Sequence, residues 1–167
     1  MTKALKRIIF HWTAGKHYPN SFDLEHYHYL VDVKGFIHNG KYPPEANISC
    51  TDGEYCPHTG GGNTASIGVA LCGMQNFSYP SLNMPFPLSK IQVEAAFSLV
   101  ARLCKKYSIP VLKDTVLTHY EFGLQNPSTT SKGKIDICYL PPYPNVHKYQ
   151  VGNFIRSKVL WYLNRLD

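Results

Sequence analysis

Carboxylates are scarce in this chain of 167 residues. Eleven Asp and Glu stand against 17 Lys and Arg, a formal net charge of +6, and only 17% of the residues are charged. That imbalance favours anionic partners without choosing among them: nucleic acid, an acidic membrane surface and an anionic polymer all qualify. No basic tract concentrates the charge, so a solvated surface is the plainer reading and a nucleic-acid partner is disfavoured. Long hydrophobic runs are missing too. The start, Met1 to Arg7, leads only into Ile8-Ile9-Phe10, far short of a signal-peptide core or a membrane span. The expectation is a soluble protein made in the cytoplasm, without stable membrane insertion. Cysteine is thin: five residues at 50, 56, 72, 104 and 138, an odd number without the density of a disulfide scaffold. Cys72 and Cys104 lie in apolar contexts where a small buried thiol is the ordinary occupant. Repeats, low-complexity tracts and linkers are absent, and the length suits one filled core rather than two. A single domain over 1–167 and a monomer follow as expectations.

What is present alternates strand-like and helix-like segments. Lys6 to Phe10 reads as a first strand delivering His11 at its end, and Tyr27 to Val33 as a second, with Lys34-Gly35 as a turn and Phe36-Ile37-His38 as a possible return. Residues 40–62 are rich in Pro, Gly, Asn and Cys and read as a long loop, a place where function often resides. Ala65 to Leu71 is the clearest buried strand. After a loop broken by Pro80, Pro85 and Pro87, Ser89 caps a helix whose apolar positions Ala95, Ala96, Leu99, Val100, Leu103 and Tyr107 recur at helical spacing. Ile109-Pro110 stops it. Thr115 to Thr118 is a short strand leading to His119, residues 123–150 a polar excursion, and 151–165 a last amphipathic helix. The fold class is α/β, with helices flanking a central mixed sheet.

Three polar residues stand out by position. His11 and His119 each follow an apolar strand-like run and precede turn material, and Asp136 closes Lys134-Ile135-Asp136. The buried strand 65–71 lies between the two histidines in sequence and is expected to bring their strand ends together. Two imidazoles and a carboxylate suit zinc, and a three-ligand site keeps a position open for water, unlike a closed structural site. Lys134, two residues from Asp136, would share its face if the backbone is extended. A cation there could stabilise an oxyanion; a solvated lysine is the equal alternative. Cys50 and Cys56 could close a small disulfide loop outside a reducing compartment, and the Ser-Thr-Thr-Ser run within 123–133 reads as a solvated loop rather than a glycan contact.

Five stretches in order, Ile9 to Gly15, Tyr27 to Asp32, Ser66 to Gly73, Thr118 to Glu121 and Lys134 to Asp136, resemble the zinc-dependent N-acetylmuramoyl-L-alanine amidases. That group spans phage lysozyme-type enzymes, bacterial cell-wall-recycling amidases and animal peptidoglycan-recognition proteins. The resemblance implies their fold, a Zn2+ cofactor held by His11, His119 and Asp136, and catalytic roles for Tyr27 and Lys134. It also implies a substrate-facing role for His58 and a peptidoglycan or muropeptide substrate. Two departures matter. The third ligand is Asp136, as in the recycling enzymes, where phage relatives often have cysteine. Ala70 replaces the glutamate base that recycling enzymes carry on the Ser-Ile-Gly strand, which moves the expected mechanism toward Tyr27 and Lys134. The expectation is a phage endolysin that accumulates in the host cytoplasm and reaches the wall once the membrane is permeabilised. A cytosolic anhydromuropeptide amidase and a non-catalytic peptidoglycan-binding module are the alternatives.

Overall fold

Arg7–Trp12 (β1) is a short run of mostly apolar residues, and it sits inside a five-stranded sheet of order β3-β2-β4-β1-β5. The remaining strands are Tyr29–Val31 (β2), Ile37–Asn39 (β3), Ser66–Leu71 (β4) and Val116–Thr118 (β5). The computed structural model describes residues 4–79 and 81–167, so the Met1–Lys3 start and Pro80, read above as a loop breaker, lie outside the described residues. β2 and β3 form an antiparallel hairpin, whereas β2–β4, β4–β1 and β1–β5 are parallel, so the sheet is mixed as expected.

Alternation along the strands separates two faces. Ile8, Phe10, Trp12, Ile67, Val69, Leu71 and Val116 point into the main core. There they meet Lys90–Tyr107 (α2) and Val151–Leu163 (α4). α2 starts where the sequence indicates: Ser89 accepts from the Gln92 backbone while the Gln92 side chain accepts from the Ser89 N–H, a capping box that satisfies two end donors. The Gln92 amide also donates to the carbonyls of Val31 and Cys72, both at 2.8 Å, which ties the helix to two strand ends. Ser108, left-handed at φ 53°, ends the helix. α4 is joined to α2 through Glu94, which accepts from Tyr143, from Lys158 at 2.5 Å and from the Tyr162 hydroxyl at 2.7 Å.

The opposite face carries Ile9, His11, Leu30, Gly68 and Ala70 and is roofed by loops and short helices. Several expectations are corrected on this side. The second strand is only Tyr29–Val31, because Ser21–His26 (α1) runs up to Tyr27, which caps it. Asp32 then turns the chain by accepting from the N–H groups of Lys34 and Phe36. The 40–62 loop contains a 3-10 helix, Pro44–Ile48. His119 is not merely a residue after a strand: it opens His119–Gln125 (α3), whose cap is Thr118 in a reciprocal box with Glu121. β4 does not lie between the two histidine-bearing strands either. β1 pairs directly with β5, Phe10 opposite Thr118, so His11 and His119 are brought together without an intermediary.

Candidate metal centre and its cleft

His11 is the penultimate residue of β1 and faces the loop-covered side of the sheet. His119 leaves the neighbouring β5 at the first turn of α3. Asp136 arrives from the irregular segment after α3, where its carbonyl accepts from the Tyr120 N–H at 2.5 Å. The three side chains meet: Nδ1 of His11 is 2.9 Å from Asp136 Oδ2, and Nδ1 of His119 is 3.3 Å from the same carboxylate. Among the described residues they form the one group of potential metal donors, with donor atoms within 4.8 Å of one another and all three residues buried. Two imidazoles and one carboxylate, converging on a point beside an open cleft, suit a borderline divalent ion such as zinc and leave room for a further ligand.

The electrostatics agree with that use. Burial pushes the His11 imidazole down to about 4, so it is a neutral lone-pair donor at ordinary pH. Asp136 is equally buried, which would raise its carboxyl, yet the hydrogen bond with His11 and the neighbouring His119 imidazole hold it below the usual carboxylate range. The carboxylate is therefore ionised.

The cleft above these residues has a volume of about 620 Å³. Tyr27 and Lys134 both line it, Tyr27 from the end of α1 beside β2 and Lys134 from the segment leading to Asp136. The Tyr27 ring centroid is 5.1 Å from that of His11, and burial together with the nearby Asp136 raises its phenol above the ordinary value. Its hydroxyl stays protonated. Lys134 is exposed and flanks the cleft from the irregular stretch that follows the 131–133 turn, sharing the cleft with Asp136. Asp136 is the one carboxylate among the described lining residues, and Ala70, opposite His11 in the β1–β4 register, packs with Leu30 and Cys72 instead.

His58 lines the cleft, but the residue is only 6% exposed and its ring is committed to protein on both nitrogens. Nε2 lies 3.3 Å from the Ser66 carbonyl, while Nδ1 lies 2.7 Å from Thr59 Oγ1 and 3.1 Å from His11 Nε2. The ring rests on Gly68, where a Cβ would come within 2.5 Å of it. This position places His58 behind His11, one of the three potential metal donors.

Four participants were not singled out from the sequence. Thr59 Oγ1 lies 3.3 Å from His11 Nε2. Ser131, wholly buried, bonds His119 Nε2 at 2.9 Å, which corrects the solvated-loop reading of 123–133; the first residues of that stretch are helical besides. Asn47 accepts from Cys56 N–H and His28 Nε2 and donates to the carbonyls of Cys56 and Asn63. It thereby pins the 56–63 loop to the strand side, and His28 in turn accepts the Gly68 N–H at 2.9 Å. Cys50 and Cys56 are both free thiols.

A family model described as N-acetylmuramoyl-L-alanine amidase matches residues 1–136. Similar solved structures include a mutant form of PlyL, 23% identical with a TM-score of 0.57, covering 95% of this chain and 86% of that one. AmiD from E. coli, in complex with anhydro-N-acetylmuramic acid-L-Ala-D-gamma-Glu-L-Lys, is 20% identical with a TM-score of 0.53, covering 92% of this chain and 57% of that one. Bumblebee PGRP-SA is 15% identical with a TM-score of 0.50, covering 79% of this chain and 78% of that one. At these identities the likeness is one of fold. Curated protein sequences gave no significant match.

Proposed function

This chain belongs to the N-acetylmuramoyl-L-alanine amidase family, and on that footing we propose that it hydrolyses the amide between N-acetylmuramic acid and L-alanine in a zinc-dependent reaction. The observation that carries the reading is the convergence of His11, His119 and Asp136 under a cleft flanked by Tyr27 and Lys134. His11, His119 and Asp136 would hold the zinc ion, which when bound would supply Lewis-acid polarisation and activation of water. The chain's own residues do the rest. The Tyr27 hydroxyl, kept protonated by burial, donates a hydrogen bond to the oxyanion as it develops. The Lys134 ammonium adds positive charge at the same place and attracts the acidic stem peptide. With no second carboxylate among the described lining residues, these two groups complete the site. The complete ligand set also speaks against a non-catalytic binding module. The test is release of free L-alanine amino termini from purified peptidoglycan. Zinc-loaded protein is expected to produce them and chelator to stop it; no release with zinc, or no effect of chelation, removes the proposal.

The biological role we propose is that of a phage endolysin acting on the wall after the host membrane is breached. The net charge of +6 supports it by favouring contact with an anionic envelope. A second reading, trimming of soluble anhydromuropeptides during wall recycling, draws on Asp136 as third ligand. Rates on intact sacculi and on soluble muropeptides separate the two: an endolysin is active on sacculi, and a recycling enzyme is nearly inert there.

A further inference from the structure

We propose that Ser131 is a positioning residue that fixes His119 in a single tautomer, proton on Nε2 and lone pair on Nδ1, and so sets the affinity of the metal centre. The inference rests on the reading that His119 is a metal ligand. Its starting point is a chain of three groups: Ser131 Oγ is 2.7 Å from the Gly60 carbonyl and 2.9 Å from His119 Nε2. A carbonyl only accepts, so the single hydroxyl proton of Ser131 is committed to Gly60. What Ser131 then offers His119 is an oxygen lone pair, and a bond at 2.9 Å requires that Nε2 carry the hydrogen. The opposite arrangement, with the hydroxyl donating to a bare Nε2, would set the Ser131 oxygen's lone pairs against the Gly60 carbonyl oxygen at 2.7 Å. Ser131 is fully enclosed, so an uncompensated pair there has no solvent to relieve it.

The consequence falls on the far side of the ring. With its proton on Nε2, the neutral imidazole turns a bare Nδ1 toward the Asp136 carboxylate 3.3 Å away. Two acceptors then face one another, an arrangement that a divalent cation between them resolves. An N–H donor at the outer nitrogen also raises ligand basicity and locks ring orientation, with typical losses of about 10–100-fold in metal affinity when it is lost.

The local backbone is built for this contact. Gly60 lies under Thr130, where a Cβ would come within 1.9 Å of Thr130 Oγ1, and Gly123 lies under the Ser131 carbonyl, where a Cβ would approach to 2.2 Å. The 126–134 segment can therefore settle onto the 57–62 loop and α3 closely enough for Ser131 to reach both partners. It acts as a strut behind His119, and its polar composition conceals a buried role.

Zinc affinity, measured by competition with a chromophoric chelator, and thermal melting with and without zinc test the proposal in the full chain. In Ser131→Ala, zinc binding is expected to weaken by about 10–100-fold, with Ser131→Thr, which keeps the hydroxyl, recovering most of it. A purely structural serine would lower the melting temperatures of the zinc-free and zinc-loaded forms together; a positioning serine mainly shrinks the increment that zinc adds. If either variant fails to fold, long-range 1H–15N correlations of zinc-loaded wild-type protein give the tautomer directly, and a proton on Nδ1 of His119 overturns the proposal. Unchanged zinc affinity in folded Ser131→Ala overturns it as well. A wild-type protein that binds no zinc would instead bring down the metal reading itself.

Discussion

His11, His119 and Asp136 divide the chemistry unequally, and single substitutions expose the division. Asp136→Ala removes the one anionic donor and leaves two neutral imidazoles, so zinc content is expected to fall and turnover to vanish. Zinc content by atomic absorption checks this, and an unchanged value takes Asp136 out of the coordination sphere. Lys134→Ala touches no donor atom. It should keep stoichiometric zinc while kcat falls by two or more orders of magnitude, the scale on which loss of one oxyanion-stabilising group is felt. Full activity in that variant leaves an ordinary solvated lysine. The three donors were legible because each ends an apolar run or closes a recognisable motif. Thr59, Ser131 and Asn47 were not. Each is a small polar residue in a loop, and its partner is chosen by a crossing of two loops, not by any local pattern. His58 was legible as a site residue only through resemblance, and its bond to His11 depends on the bare surface of Gly68 forty residues from His28.

Short elements carry the site, and their placement depends on longer ones. Glu121 closes the capping box of α3, and it is also gripped by Arg156 of α4, whose guanidinium reaches both carboxylate oxygens at 2.9 and 3.0 Å, the Val116 carbonyl at 3.0 Å and Asn153 at 2.8 Å. One arginine thus links β5, α3 and α4 at the point where His119 emerges. Arg156→Ala leaves a poorly solvated carboxylate without its counter-charge and is expected to cost about 3 kcal/mol. That corresponds to a fall in Tm of roughly 10 °C, with weaker zinc binding as α3 loosens. Calorimetry and chelator competition on the same samples check both effects, and a Tm within a degree of wild type shows the pair to be dispensable. The main helices were legible because their apolar faces repeat over many turns. α1 and α3 are six and seven residues long, too brief for periodicity to register, although Asn20 with Asp23 and Thr118 with Glu121 had the spacing of capping boxes. The β1–β5 pairing was misjudged for a different reason: strand order is set by packing across the whole sheet, which no single segment encodes.

For the molecule as a whole, the two faces of the sheet have different sensitivities to acid. The α2–α4 side is mostly apolar, while the other side encloses neutral histidines. His28 is 1% exposed, and burial pushes its imidazole from 6.5 down to about 4. A base whose pKa is lowered by folding binds its proton more readily when unfolded. Stability is therefore undiminished above pH 6.5 and falls as the pH drops toward 4. At about 1.4 kcal/mol per pH unit over that interval, His28 contributes a loss of about 3 kcal/mol at most. Urea midpoints of the zinc-free protein at about pH 7 and about pH 4.5 are expected to differ accordingly, and His28→Gln should flatten the dependence. A wild-type midpoint that does not move would contradict neutral burial.

The β1–β5 contact that joins His11 to His119 also orders events during synthesis. The donors lie at positions 11, 119 and 136, so a nascent chain carries its first donor early and obtains the carboxylate only after the last strand, Val116–Thr118, has been made. On the zinc reading proposed above, metal capture would wait for the ribosome to deliver that later piece. A chain interrupted before Asp136 has every described strand of the sheet and no complete donor set, so on the same reading zinc occupancy would be a chemical mark of translation past this aspartate.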